Sequence, residues 1–234
     1  MPPSFQRDRF TWLIYLMLTF YGFILNVFGP ITPFLKEELN ISYTVSSLHT
    51  TAFAVGILLV GLGGHLVIER AGRQRSLWVG ALGMSLGVFL LIVGRSPIAT
   101  IGASFLMGLV GSLILAIVPS ALADRHGEQR SIAISEANTV GSLIATIAPL
   151  MVGWFAGVPG GWRLSLAIVA CSPLLLAFAF GKVKFPPAGQ VLDADGKANR
   201  SLPGLFWAYW VAIVLAVSVE FCMIFWSADY LEKA

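Results

Sequence analysis

GGHLVIERAGRQRS, residues 63–76, is a short charged stretch between two long apolar runs. One glutamate, three arginines and Gly72 lie together over residues 69–75. Two antiparallel helices joined by so few residues need a sharp chain reversal, and glycine adopts the left-handed conformation at little steric cost. The stretch therefore predicts a tight turn between two helices, with Gly72 at the reversal.

The composition on either side of this stretch indicates a membrane protein. Charged residues make up 12% of the chain, against about 25% in a typical soluble domain. Hydrophobic residues make up 57% and form runs near the ~20 residues that a bilayer crossing requires. Cys171 and Cys222 both fall in these runs, where we expect each to be a small buried hydrophobe and not half of a disulfide.

Helices are the expected form of the apolar runs. A segment in lipid must satisfy its own backbone hydrogen bonds, and these runs lack the alternation of barrel strands. We predict an all-α integral membrane protein with seven spans, at residues 10–34, 44–67, 76–94, 97–121, 131–156, 163–181 and 203–228.

The polar segment between the sixth and seventh spans divides the chain. It is rich in Pro, Gly and Asp and is typical of a linker. The predicted organisation is a six-helix N-terminal bundle over 1–181, a cytoplasmic linker over 182–202, and the first helix of a C-terminal bundle over 203–234.

The basic residues predict the orientation. With the N-terminus in the cytoplasm, the inner segments hold eleven of the 15 lysines and arginines, and the outer segments hold Lys36, Arg95, Arg163 and Lys233. This asymmetry is expected from the positive-inside rule. Scattered charges of this kind do not form the dense patch typical of a nucleic-acid partner. We expect a multi-pass protein of a bacterial-type inner membrane, with its N-terminus in the cytoplasm.

The charged stretch resembles the loop signature of the major facilitator superfamily. Glu69-Arg70-Ala71-Gly72-Arg73-Gln74-Arg75 is similar to the family pattern Gly-x-x-x-Asp-Arg-x-Gly-Arg-Arg/Lys and has the same place between spans two and three. Similar correspondences occur at Gly29-Pro30, Pro33-Phe34-Leu35, Asp124-Arg125 and Gly161-Trp162-Arg163. The resemblance implies a six-helix N-terminal bundle followed by the seventh helix of a twelve-span transporter.

The same resemblance implies a cytoplasmic gate motif at Glu69, Arg70, Gly72, Arg73, Arg75 and Asp124. By analogy, Glu69 faces a helix of the C-terminal half, and Arg73 pairs with Asp124 to hold the cytoplasmic side closed. Simple topology explains Arg70 and Arg75 equally well, because the cytoplasmic side and the helix dipole both favour basic residues there. Glu69 is different, since a carboxylate at a helix C-terminus is disfavoured by the dipole and needs a positive partner.

Polar groups inside the spans are candidates for a substrate or proton pathway. Glu220 is the strongest, because an ionisable group in a span usually marks such a pathway; the alternative is a protonated carboxyl that hydrogen-bonds to a neighbouring helix. Asn26, with Tyr21 and Thr32 nearby, either faces a central cavity or is hydrogen-bonded to a neighbouring helix.

The resulting hypothesis is secondary active transport of a small molecule by alternating access, with protons as the coupling partner through Glu220. Its partners are the lipid bilayer and a missing C-terminal half, in the same or a separate chain. The competing hypothesis is a truncated or scaffolding membrane protein without transport activity of its own. Catalytic, metal-binding and phosphate-binding motifs do not occur in the sequence, so we predict no enzyme activity, cofactor or metal.

Overall fold

The computed structural model describes residues 5–186 and 204–233. It divides the chain into two compact units, Met1–Ala188 and Gly189–Ala234. Of the predicted linker, 182–202, only residues 182–186 are described, and the rest lies outside the described residues. The division into a bundle, a linker and a further helix stays a prediction.

In the first unit, the described residues 5–186 form seven α-helices and one short 3-10 turn. Their bounds are α1 Arg9–Leu39, α2 Tyr43–Ala71, α3 Arg73–Val93, α4 Pro97–His126, a 3-10 turn Gly127–Gln129, α5 Arg130–Ala156, α6 Trp162–Ala170 and α7 Ser172–Phe180. The second unit contains α8, Gly204–Lys233. Within the described ranges no strand occurs, and the prediction of an all-α fold is confirmed.

Among the described residues, five helical stretches are long and apolar enough to cross a membrane. One of them, Pro97–Ala156, is 60 residues long and contains α4, the 3-10 turn and α5. α4 has 30 residues and α5 has 27, so each is long enough for one crossing and the stretch accounts for two. Six predicted spans therefore have counterparts in the first unit, and the apolar part of α8, Gly204–Glu220, corresponds to the seventh.

Local sequence sets the ends of these helices. The Asp8 and Ser42 side chains accept hydrogen bonds from backbone N–H groups in the first turns of α1 and α2, as helix caps do. Asn40 is the C-cap of α1. Its backbone is left-handed (φ 49°), and its N–H donates to the carbonyl of Glu37. Ser96 and Pro97 begin α4 in the same capped manner.

The sixth predicted span, 163–181, is a single helix in the prediction but two short helices in the structure. The break falls at Cys171, between α6 and α7. Pro173 explains it, because proline has no N–H to donate and its ring clashes with the carbonyl four residues earlier. Cys171 is also exposed, as is Cys222, so the prediction of buried cysteines is wrong; an apolar run in a membrane protein faces lipid as readily as a core.

The core of the first unit centres on α1. Its buried side chains include Leu13, Ile14, Met17, Ile24 and Ile31, all essentially inaccessible. α1 packs mainly on α5, while α4 packs on both α2 and α3. The α2 and α4 backbones cross at Gly56 and Gly108, where a Cβ atom on either glycine would overlap the backbone of the other helix. This contact holds the middle parts of α2 and α4 close together.

Candidate functional site

The charged stretch forms the turn between α2 and α3. Gly72 is the single residue between the two helices, with φ 83° and ψ 150°. Its N–H donates to Ile68 O at 2.9 Å, and its carbonyl accepts the N–H of Ser76 at 3.0 Å. A positive φ of this size is strained for any residue with a Cβ. Glycine is therefore required at position 72, where α2 ends and α3 begins.

This turn lies at one end of the bundle, here called the turn end, where α1, α3 and α5 begin and α2 and α4 finish. Arg73 Nη1 donates to Asp124 Oδ2, which lies in the last turn of α4. The two side chains are only 22% and 23% exposed. A partly covered, charge-assisted bond of this kind is stronger than a fully solvated pair, and it connects the α2–α3 turn to α4.

A cavity of about 780 Å³ opens beside this pair. Its wall includes Glu69, Arg75 and Ser120, together with Phe185 from the segment after α7. Gln74 Nε2 donates to Val183 O at 3.2 Å, which attaches the same segment to the turn. The cavity therefore has a charged rim formed by the turn and an apolar wall from the end of the bundle.

The remaining residues of the predicted gate motif are not paired in the described part of the chain. Glu69 occupies the last turn of α2 and is exposed. Arg70 and Arg75 are exposed as well, and none of the three side chains has a hydrogen bond or ion pair with any residue among 5–186 and 204–233. The structure thus brings Arg73 and Asp124 together and leaves the Glu69 carboxylate open to solvent.

Sequence reasoning missed a second set of charged contacts at the turn end. Arg7, just before α1, donates to Glu136 of α5 from its Nε at 2.8 Å. The hydroxyl of Tyr15 donates to the same carboxylate at 3.2 Å. The sequence showed Arg7 only as a basic residue on the cytoplasmic side, because its partner is 129 positions away.

Asp8 is the other member of this missed set. Its Oδ1 accepts the Thr11 N–H at 2.8 Å and the Thr11 hydroxyl at 2.7 Å, and its Oδ2 accepts Arg125 Nε at 2.7 Å. Partial burial alone would raise the pKa of the Asp8 carboxyl, but these bonds from Thr11 and Arg125 together lower it below its ordinary value. A capping motif, Asp followed three residues later by Thr, was the available sequence signal.

The opposite end of the bundle carries one ion pair among the described residues. Arg163, at the start of α6, pairs with Glu38 at the end of α1 and donates to Ile92 O at 3.0 Å. Trp162 Nε1 donates to Glu38 at 3.0 Å, and the Arg163 guanidinium lies 4.6 Å from the Trp162 ring centroid. Three helix ends are therefore joined by one arginine.

The pathway candidates on α1 bond within their own helix. Asn26 Nδ2 donates to Gly22 O at 2.8 Å, and Thr32 Oγ1 donates to Phe28 O at 2.6 Å. Asn26 is partly exposed, whereas Tyr21 is buried. Among the described residues the Asn26 side chain bonds only to its own helix, and the choice between a central cavity and an interhelical bond stays a prediction. Glu220 lies on α8, in the second unit, at the end of the apolar part of that helix.

The sequence was compared with known proteins. The profile of the Major Facilitator Superfamily matches residues 14–234. A citrinin biosynthesis cluster MFS transporter of Monascus ruber is 25% identical over 191 residues, which cover 78% of this chain and 36% of that protein. A chloramphenicol resistance protein of Streptomyces lividans is 26% identical over 174 residues, with 70% and 41% covered.

A solved structure has the same fold. The crystal structure of a peptide transporter, POT, in complex with sulfate aligns with a TM-score of 0.66 and 19% identity, covering 93% of this chain and 46% of that one. The chain thus spans less than half the length of each of these proteins.

Proposed function

Because the chain belongs to the major facilitator superfamily, we propose that it is the N-terminal part of a secondary active transporter that moves a small molecule by alternating access. The family and the relatives named as transporters support membrane transport in general, and a transporter in preference to an enzyme. A multi-pass membrane protein is also what the apolar helices indicate. In this proposal a C-terminal half, in the same or a separate chain, completes the solute path.

The contact between Arg73 and Asp124 carries the proposal. It joins the α2–α3 turn to the end of α4, so it can form only while these two parts of the bundle stay in register. An interaction that exists in one conformation and is lost in the other shifts the equilibrium between them. We therefore assign Arg73 and Asp124 as a latch that favours the state in which the turn end is closed.

Glu69 has a complementary role in this proposal. It lies at the C-terminal end of the α2 dipole, which disfavours a carboxylate, and no described residue pairs with it. A positive group or a helix N-terminus in the C-terminal half would remove that unfavourable interaction when the two halves close. In this proposal, the interaction of Glu69 with the C-terminal half forms when the turn end closes and stabilises the closed state.

The turn end faces the cytoplasm in this proposal. Arg7, Arg73, Arg125 and Arg130 all lie at that end of the bundle, and an excess of basic residues is retained on the cytoplasmic side during insertion. The latch therefore controls access from the cytoplasm.

The test uses the full-length protein, in which Cys171 and Cys222 are replaced by alanine. A reporter cysteine at S120C lies in the wall of the cavity beside the latch. We expect a membrane-impermeant thiol reagent to label it in inside-out vesicles and not in right-side-out vesicles. R73Q should increase the labelling rate several-fold because the closed state loses a contact, and D124N should do the same.

Two further variants make this result specific. The exchange R73D/D124R should restore slow labelling, because the ion pair forms again with its ends reversed. E38Q is the control, because it removes the ion pair at the opposite end of the bundle. In inside-out vesicles we expect its S120C labelling rate to be no higher than that of the parent. Equal labelling rates in the parent, R73Q and D124N would show that the pair is not a latch.

A further inference from the structure

Three consecutive residues at the end of α4 contact three different places at the turn end. Asp124 binds Arg73 of the α2–α3 turn. The next residue, Arg125, binds Asp8, which precedes α1. His126 Nε2 lies 2.9 Å from Thr11 Oγ1, in the first turn of α1. The last turn of α4 is therefore held between the latch on one side and the start of α1 on the other.

Asp8 is fixed in place independently of Arg125. Its Oδ1 caps α1 through Thr11, and only Oδ2 faces the Arg125 guanidinium. The Thr11 hydroxyl gives its single proton to Asp8 Oδ1 at 2.7 Å, so the proton between Thr11 and His126 belongs to His126 Nε2. Because one oxygen is committed to the cap, the other oxygen presents a defined position to Arg125.

The chain turns directly after α4. Gly127 follows His126 with a φ of 54°, a conformation that favours glycine. Side-chain contacts of residues 124–126 therefore join the last turn of α4, just before this reversal, to the α2–α3 turn and to the start of α1. Since Asp124 and Arg125 are adjacent, a shift of the Arg125 guanidinium is passed to the Asp124 carboxylate through a single peptide unit.

We propose that Asp8 is a positioning residue for the latch: by holding Arg125, it sets the Asp124 carboxylate against Arg73. This inference rests on the proposed function, since it concerns the regulation of the same gate. It makes the segment before α1 part of the gate, although no hydrogen bond or ion pair joins its described residues, 5–8, to Arg73.

The chain offers a closely matched control. Arg7, the neighbour of Asp8, forms an ion pair of similar exposure, with side chains 48% and 29% exposed, against 49% and 33% for Arg125 and Asp8. Its partner, Glu136, is on α5 and not on the last turn of α4. R7Q thus removes an equivalent surface ion pair from the same segment without removing a hydrogen bond or ion pair of residues 124–126.

The experiment uses the S120C reporter in the full protein, again without the native cysteines. D8N keeps an oxygen that can cap α1 but loses the charge that faces Arg125, and R125Q leaves the cap intact. We expect each variant to raise the rate of S120C labelling in inside-out vesicles by about two- to fivefold, the range that corresponds to a partly exposed pair. R7Q should label at the parent rate.

The combination D8N/R73Q separates positioning from general loosening. If Asp8 acts through the latch, the double variant should label no faster than R73Q alone, because the contact that Asp8 positions is already gone. A thermal unfolding midpoint and a single size-exclusion peak establish that each variant is folded. If D8N is too unstable to purify, the S120C labelling rate of R125Q tests the same contact.

The outcomes distinguish this inference from the proposed function. Parent-rate labelling of both D8N and R125Q, with faster labelling of R73Q, would overturn the role of Asp8 and leave the latch intact. Equal increases in D8N and R7Q, or multiplied increases in D8N/R73Q, would also overturn it, because they indicate nonspecific loosening. Parent-rate labelling of R73Q would overturn the latch and this inference together.

Discussion

At the scale of single residues, the Asp8 carboxylate takes part in two interactions, a helix cap and an ion pair. One oxygen caps α1 and the other binds Arg125. Both interactions require or favour the ionised form, which is why the pKa of Asp8 lies below its ordinary value of 3.8. A group with a pKa depressed by folding stabilises the folded state above its unfolded pKa, and that contribution is lost as the pH falls through the folded pKa.

D8N tests this pH dependence. Asparagine caps helices about as well as aspartate but does not titrate. We expect the parent to have the higher thermal midpoint in detergent near pH 6, and the difference from D8N to shrink as the pH falls towards about 3. Because other carboxylates titrate in both proteins, the difference between the two curves is the quantity to measure. A difference that is constant over this range would contradict the assignment.

The residue scale is also where prediction from sequence was most uneven. The loop motif predicted Arg73 and the turn at Gly72 because a short, spaced pattern carried them, and the family resemblance supplied Asp124 as the partner of Arg73. Arg7 and Asp8 have no such pattern, and their partners Glu136 and Arg125 are more than a hundred positions away. Sequence periodicity does not report which charges meet at the end of a bundle, so only the fold revealed these pairs.

At the scale of helices, the crossing of α2 and α4 is the most demanding contact in the bundle. A Cβ on Gly108 would overlap the carbonyl oxygen of Phe53, and backbone atoms cannot move aside as a flexible side chain can. Ser104, Gly108 and Ser112 lie at four-residue intervals on α4, and small residues at this spacing permit close helix approach. Their partner, Gly56 on α2, is harder to predict, because a single glycine in an apolar run has no distinctive pattern.

G108A measures the importance of this crossing. We expect it to destabilise the protein by about 3 kcal/mol or more, at the upper end for overpacked positions. G102A is the matched control on the same helix, because a Cβ there meets no heavy atom within 4 Å; we expect it to be neutral or to stabilise by up to about 1 kcal/mol. Thermal unfolding in detergent distinguishes the two. Equal midpoints for G108A and the parent would show that the helices separate without cost.

The helix ends illustrate what pattern reasoning can and cannot locate. The predicted spans 76–94 and 131–156 lie within three residues of α3 and α5 at both ends, because a glycine turn and a charged connection mark them. The span 97–121 stops short of α4, which ends at His126. The additional turn is polar and contains Asp124 and Arg125. A span predicted from hydropathy therefore ends before the residues proposed to form the gate.

At the scale of the whole molecule, charge is confined to the two ends of the described bundle. Three ion pairs lie at the turn end and one at the opposite end. Glu220 is different: at ~1.5 Å per residue it lies about 12 Å along the helix from the outer end of the predicted span 203–228. An ionisable group inside a span is costly unless it has a function, which supports the hypothesis from the sequence that Glu220 couples transport to protons.

E220Q in the full protein tests this coupling. Glutamine keeps the shape and hydrogen-bonding ability of a protonated glutamate but carries no exchangeable charge. For a solute identified by a transport screen in proteoliposomes, we expect E220Q to abolish accumulation driven by a pH gradient while solute exchange between the two sides continues. E38Q, at the opposite end of the bundle, should retain both. Gradient-driven accumulation by E220Q at the parent rate would remove Glu220 from the mechanism.

The end of α4 also has a consequence for exchanging segments between homologous transporters. Residues 124–126 each depend on a partner that is encoded elsewhere, in the α2–α3 turn or near the start of α1. A hybrid that inherits the first dozen residues from one parent and α4 from another would combine unmatched charges, even if every helix inserted correctly. Successful recombinants should therefore inherit these three short segments together, and sequence drift at Asp8 should be accompanied by change at Arg125.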